Sequence, residues 1–180
     1  MSGHNKWSKI KHKKGAEDAK RSKIFSKYVK LITSESKKAN GDINSPGLSS
    51  AVDLAKKENM PKDTIDRAIK KGASSEASEM ESVTYETYGP AGVAIIIEGL
   101  TDNKNRAAAE VRHILSQNGL ELASPGAASW AFTKRNEGWT ANQTTSITKE
   151  ENEKIEKLIE MLEESEEVDS VFTNAETNEN

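Results

Sequence analysis

The hydrophobic pattern of this 180-residue chain changes period after residues 73–82, and that change divides whatever the chain folds into. Up to Gly72 the apolar residues recur at helical spacing, whereas from Val83 they fall into short β-branched and aromatic runs. Residues 73–82, between the two patterns, are small and polar, the composition of a linker. With 34% apolar and 31% charged residues, the chain supports small cores rather than one large one. The expected organisation is a helical domain over 1–75, a linker over 76–82, an α/β domain over 83–175 and a disordered tail over 176–180.

Three helices are expected in the first part. Ile24, Phe25, Tyr28, Leu31 and Ile32 define one buried face of a helix over residues 15–38. At about 100° per residue, Lys20, Lys23, Lys27 and Lys30 form a strip beside that face, so one side can pack while the other meets phosphate. Ser45 and Pro46 supply a cap and a first-turn proline for a helix carrying Leu48, Ala51, Val52 and Ala55. A third helix opens at Pro61, buries Ile65, Ala68 and Ile69, and closes on Gly72.

The second part reads as strands over Val83–Tyr88 and Gly92–Glu98, joined by the turn Gly89-Pro90-Ala91-Gly92. A helix capped by Asp102 or Asn103 follows, then a strand over 128–133, another within 140–148, a capping-box helix from Thr148 and a last strand over 168–174. From Gly92 the order is β-α-β-β-α-β. The expected fold class is α+β, a three-helix bundle followed by a ferredoxin-like sandwich with two helices on one sheet face.

Charge is sorted along the same division. Residues 1–72 carry 18 basic and 8 acidic side chains, residues 73–180 carry 8 and 21, and the overall net of -3 hides the difference. A basic region of this kind is a footprint for polyanions, and the acidic region repels them. The expected nucleic-acid surface is a basic arm of Lys6, Lys9, Lys11, Lys13 and Lys14, continued by Lys20, Arg21, Lys23, Lys27 and Lys30, with Lys70 and Lys71 at the end of the third helix. Lysine supplies point charge without a fixed fork, so the surface positions a backbone rather than reading bases. Trp7 either stacks on an unpaired base or folds back onto the bundle, and His12 adds a protonated contact at low pH. Asp63 and Asp66 lie where a helix-turn-helix recognition helix needs base-reading groups, which disfavours groove insertion by the third helix.

The segments Gly3–Lys14 with Asp18–Phe25 behind it, Asn59–Gly72, Tyr88–Ala94 and Thr101–Arg106 together resemble the YebC/PmpR family, and the stretch 148–175 is similar to that family's C-terminal helix and strand. The resemblance implies two activities, transcriptional regulation through DNA binding and ribosome-linked assistance of translation, the latter known from mitochondrial activators of a cytochrome oxidase subunit. It also implies that a further α/β domain, which family members carry after the strand matching Ser129–Phe132, is missing between Phe132 and the last capping box.

Other chemistries lack support in the sequence. Cysteine is absent, which excludes disulfides and thiolate catalysis. No nucleophile elbow, phosphate loop or paired metal motif occurs, and no enzyme activity, metal or cofactor is expected. Lys104 and Arg106, at a helix N-terminus, are the candidates for an anion or partner site. The acidic C-terminal helix is a candidate contact for a basic protein. No apolar run approaches the roughly 20 residues needed to span a bilayer, and a cytoplasmic protein is expected.

Overall fold

The computed structural model describes residues 17–136 and 138–177, with side chains from residue 21 onward. The chain divides into two compact units, one spanning Lys13–Glu81 and the other containing Ser82–Asn180.

The first unit consists of α1 (Glu17–Lys38), α2 (Pro46–Lys57) and α3 (Lys62–Ala73). Its core is Ile32, Leu48, Ala51, Ala55, Met60, Ile65 and Ala68, with Phe25, Tyr28 and Val29 packed against it. Ser45 caps α2, its hydroxyl accepting the Leu48 N–H at 3.4 Å, with Pro46 in the first turn. Asn59, at φ 60°, takes the left-handed turn that ends α2.

Gly72 does not stop α3, which continues to Ala73. A Cβ at Gly72 would lie 2.4 Å from the Thr33 carbonyl oxygen and 2.6 Å from Ser36 Cβ, so its missing side chain is what lets α1 and α3 cross closely. Thr33 and Ser36 are buried at this crossing, and the Ser36 hydroxyl donates to the Ile69 carbonyl at 2.6 Å. The buried face of α1 is therefore wider than its apolar stripe. Gly72→Ala gains helix propensity of about 1 kcal/mol but overpacks backbone and should cost a net 1–3 kcal/mol, roughly. Urea denaturation followed by helical ellipticity checks this, and an unchanged or raised midpoint would contradict it.

The segment expected as a linker is not slack throughout. Ala77 is buried, its carbonyl accepts the Lys37 ammonium, and β1 already begins at Glu81.

The second unit contains β1 (Glu81–Tyr88), β2 (Ala94–Thr101), α4 (Lys104–Gln117), β3 (Phe132–Arg135), β4 (Gly138–Ala141), β5 (Thr145–Ile147), α5 (Lys149–Glu163), β6 (Ser170–Thr173) and β7 (Ala175–Thr177). The fold is α+β, but the succession from β2 to β6 is β-α-β-β-β-α-β, one strand more between the helices than the sequence suggested, and the strands do not form the single sheet of a ferredoxin-like sandwich. The hydrogen bonding divides the strands into three groups, a sheet of order β1-β2-β6, a β3-β4 hairpin and a parallel β5-β7 pair. Residues 129–131 form a 3-10 turn rather than strand, which shortens β3.

The run Val93–Ile97 explains this division, since β2 is buried on both faces. Ile95 and Ile97 pack with Val111, Leu115, Ile155, Leu158 and Leu162 of α4 and α5. Ala94 and Ile96 pack with Phe132 and Phe172, with Trp139 and Ala141 against them. The hairpin thus spends its apolar side covering the second face of the sheet instead of extending its edge.

Candidate nucleic-acid interface

Of the residues singled out for nucleic acid, Lys6, Trp7, Lys9, Lys11, His12, Lys13 and Lys14 lie outside the described residues, and Lys20 is described only in its backbone. Arg21 is exposed on α1, and Lys23 and Lys30 are half-buried with partners of their own. Lys27, by contrast, is only 7% exposed, so its ammonium is withdrawn from any surface contact. The α1 strip offers phosphate three of its four predicted cations at most.

Lys70 and Lys71 are exposed in the last turn of α3. The crossing at Gly72 brings this turn against the end of α1, where Lys37 and Lys38 stand. All three helices in fact end in a Lys-Lys pair, with Lys56 and Lys57 closing α2. Cations there complement the negative end of the helix dipole, which accounts for their position without a ligand. All but Lys37, which is half-buried against Ala77, nevertheless add exposed positive charge, and the sequence reading missed Lys37, Lys38, Lys56 and Lys57. A search for basic residues preceding each helix stop would have found them.

The N-terminal turn of α3 does not read bases. Asp63 stands in it, and Arg67 folds back onto its own helix, its Nε donating to the Asp63 carbonyl at 3.2 Å and its Nη2 to Thr64 Oγ1 at 3.4 Å.

The two cations proposed for an anion or partner site are both exposed at the start of α4, where Asn103 accepts the Arg106 N–H at 3.0 Å and so provides the cap. The Arg106 guanidinium is engaged within the fold. Its Nη2 reaches Glu167 Oε1 at 2.8 Å and Asp102 Oδ1 at 2.6 Å, and its Nε donates to the same Glu167 oxygen at 2.8 Å. Glu167 first and Asp102 second hold its pKa above the ordinary arginine value. Arg106 therefore ties α4 to the segment before β6, and Lys104 has an interaction of its own.

Sequence reasoning also missed a buried carboxylate. Glu86 on β1 accepts the backbone N–H groups of Gly126 at 2.8 Å, Ala128 at 2.7 Å and Ser129 at 2.8 Å. Burial pushes its pKa up, but these bonds and the Ser129 hydroxyl outweigh burial and hold it below the usual value. Nothing in the sequence around Glu86 or around the uncharged loop forty residues later signals the pairing.

Among the described residues, no group of three or more His, Cys, Asp or Glu side chains is arranged to hold a metal ion, and no helix is long and apolar enough to cross a membrane.

Residues 5–75 match a family model described as the TACO1/YebC protein N-terminal domain. Residues 80–137 and 134–175 match, in two pieces, one described as the TACO1/YebC second and third domain. A probable transcriptional regulatory protein of Desulfatibacillum aliphaticivorans is 56% identical over 137 residues, 75% of this chain and 56% of that protein. One from Petrotoga mobilis is 49% identical over 161 residues, 88% of this chain and 61% of that protein. The chain thus spans little more than half the length of these curated relatives. The crystal structure of a conserved hypothetical protein from Aquifex aeolicus is similar with a TM-score of 0.83 and 30% identity, covering 97% of this chain and 98% of that one.

Proposed function

The chain belongs to the TACO1/YebC family, and we propose that it regulates gene expression by holding nucleic acid against its basic helical unit. The observation that carries this reading is the sorting of charge, with 18 basic against 8 acidic residues in 1–72 and 8 against 21 in 73–180. A polyanion is drawn to the first region and turned away from the second. The names of the relatives favour transcriptional regulation, and in our reading DNA is the ligand and the cytoplasm the place of action. Arg21, Lys23, Lys30, Lys70 and Lys71 supply the described part of the contact, and Lys6, Lys9, Lys11, Lys13 and Lys14 extend it. The protein acts by binding and not by catalysis.

A second reading, structured RNA on the ribosome, is favoured by the start of α3. With Asp63 in its first turn and Arg67 folded back, α3 has no fork aimed at base edges, and a lysine surface grips either nucleic acid through its backbone. The acidic α5 then suits a basic ribosomal protein.

Sedimentation of a gently prepared lysate through a sucrose gradient separates the two readings. Release from fast-sedimenting material by deoxyribonuclease alone, with ribosomal fractions empty, is expected for the DNA reading. Migration with ribosomal particles, lost when Lys6, Lys9, Lys13 and Lys14 are changed to Glu, would replace it with the RNA reading. A protein that stays at the top of the gradient under every treatment would remove both.

A further inference from the structure

We propose that Lys37 is a latch that fastens the first half of the connecting segment to the helical unit, so that the joint between the two units is confined to Ser78, Glu79 and Met80. The composition of residues 73–82 reads as slack throughout. The contacts leave less of it free.

Residues 74–77 fold back on the end of α3. The Ser74 N–H donates to the Lys71 carbonyl at 3.3 Å, and the Ser74 hydroxyl donates to the same oxygen at 2.8 Å. The Ala77 N–H then donates to the Ser74 carbonyl at 3.3 Å, closing a turn over Ser74–Ala77. These bonds are local, and a short polar turn at a chain surface opens readily by itself. The bond that ties the turn down comes from α1, whose Lys37 ammonium donates to the Ala77 carbonyl across forty positions of sequence. Its donor is charged, which makes it stronger than a bond between neutral groups, and Ala77 beneath it is only 6% exposed.

The crossing of α1 and α3 explains why a lysine at this position can do so. Lys37 stands in the last turn of α1. Gly72 lets that end of α1 approach the last turn of α3, so the chain leaving α3 starts beside Lys37, within reach of a four-carbon stem. Lys38, the next residue, is exposed and bonds Glu35 on its own helix at 2.6 Å. Two neighbouring lysines thus hold different things. Beyond Ala77 the hold ends, since Ser78 and Glu79 are exposed and make no hydrogen bond among the described residues, and β1 begins at Glu81.

The latch sets the reach of the connection. At no more than 3.6 Å per residue, the four steps from Ala77 to Glu81 span at most about 14 Å, whereas the eight from Ala73, where α3 ends, would span about 29 Å. Lys37 therefore halves the length of free chain between the basic helices and β1.

Backbone amide relaxation of the full chain, measured by nuclear magnetic resonance, tests this, since none of residues 74–80 is proline and each carries an N–H. Order parameters should hold at about 0.85 through Ala77, as in the helices, and fall below about 0.6 only at Ser78–Met80. Lys37→Met keeps most of the stem and removes the donor, so its low-order stretch should widen to Ser74–Met80 while helical circular dichroism stays unchanged. Lys38→Met removes the same charge one position on, and its profile should match the wild type's. A wild-type profile already low at Ser74–Ala77, or without a fall at Ser78–Met80, overturns the proposal. So does a folded Lys37→Met with the wild-type profile, or a Lys38→Met that widens the stretch equally.

Discussion

Raising the salt concentration from about 50 to about 200 mM should weaken duplex binding by this protein roughly a thousandfold. The figure follows from about six phosphate contacts, each releasing close to one counterion, so that log K falls by about 0.9 per contact for each tenfold rise in salt. The described surface offers up to five of these, Arg21, Lys23, Lys30, Lys70 and Lys71, before the lysines of the first fourteen residues are counted. Single variants then sort the surface. Changing Lys70 and Lys71 together to Gln should flatten the salt slope by about two, and Lys27→Gln should leave it unchanged because Lys27 is buried. Fluorescence anisotropy with duplexes of unrelated sequence provides both readings. Curves that coincide across sequences fit a backbone contact, whereas a slope near zero would remove the electrostatic basis of the proposed function.

That buried lysine marks where the sequence stopped being a guide. Helical periodicity located α1, α2 and α3 well, since each buries an apolar stripe set by residues three and four apart. Burial of Thr33, Ser36 and Lys27 depends instead on what crosses α1, and the close approach of α3 at Gly72 is a tertiary fact. A glycine near a helix end reads locally as a stop, and only the neighbouring helix reveals that it is a contact.

The second unit repeats the lesson in β structure. The capping box at Thr148 and the cap at Asn103 are local chemistry and were legible. How the strands divide among sheets was not, because it turns on Phe132, Trp139 and Ala141 preferring the face of β2 to its edge. The pairing of Arg106 with Glu167 spans sixty-one positions, so a cation that looks available in the sequence is engaged in the fold. Candidate charges therefore sort by partner distance in the chain, and those whose partners are remote were the ones misjudged.

Glu86, whose three N–H partners lie 40, 42 and 43 positions away, belongs to the same class, and its removal should be the most damaging single change in the second unit. Glu86→Ala leaves the N–H groups of Gly126, Ala128 and Ser129 without their acceptor, at about 1–3 kcal/mol for each that stays buried and less where water enters, or about 4 kcal/mol in all. Glu86→Gln keeps one carbonyl acceptor but turns an amide toward the remaining donors, so it should fall between Ala and wild type. Denaturant titration reports both through Trp130 and Trp139, two of the three tryptophans in the chain, which flank this loop and its hairpin. The sign with pH follows from the lowered pKa. The folded state holds its proton less tightly than the unfolded chain does, so the contribution of Glu86 is complete above the ordinary carboxylate value and is lost as pH falls through the lower, folded value. Glu86→Gln has no such proton to gain, and its stability should vary less across that acidic window than the wild type's. Equal pH dependence in the two proteins would mean that the carboxylate is not what holds the loop.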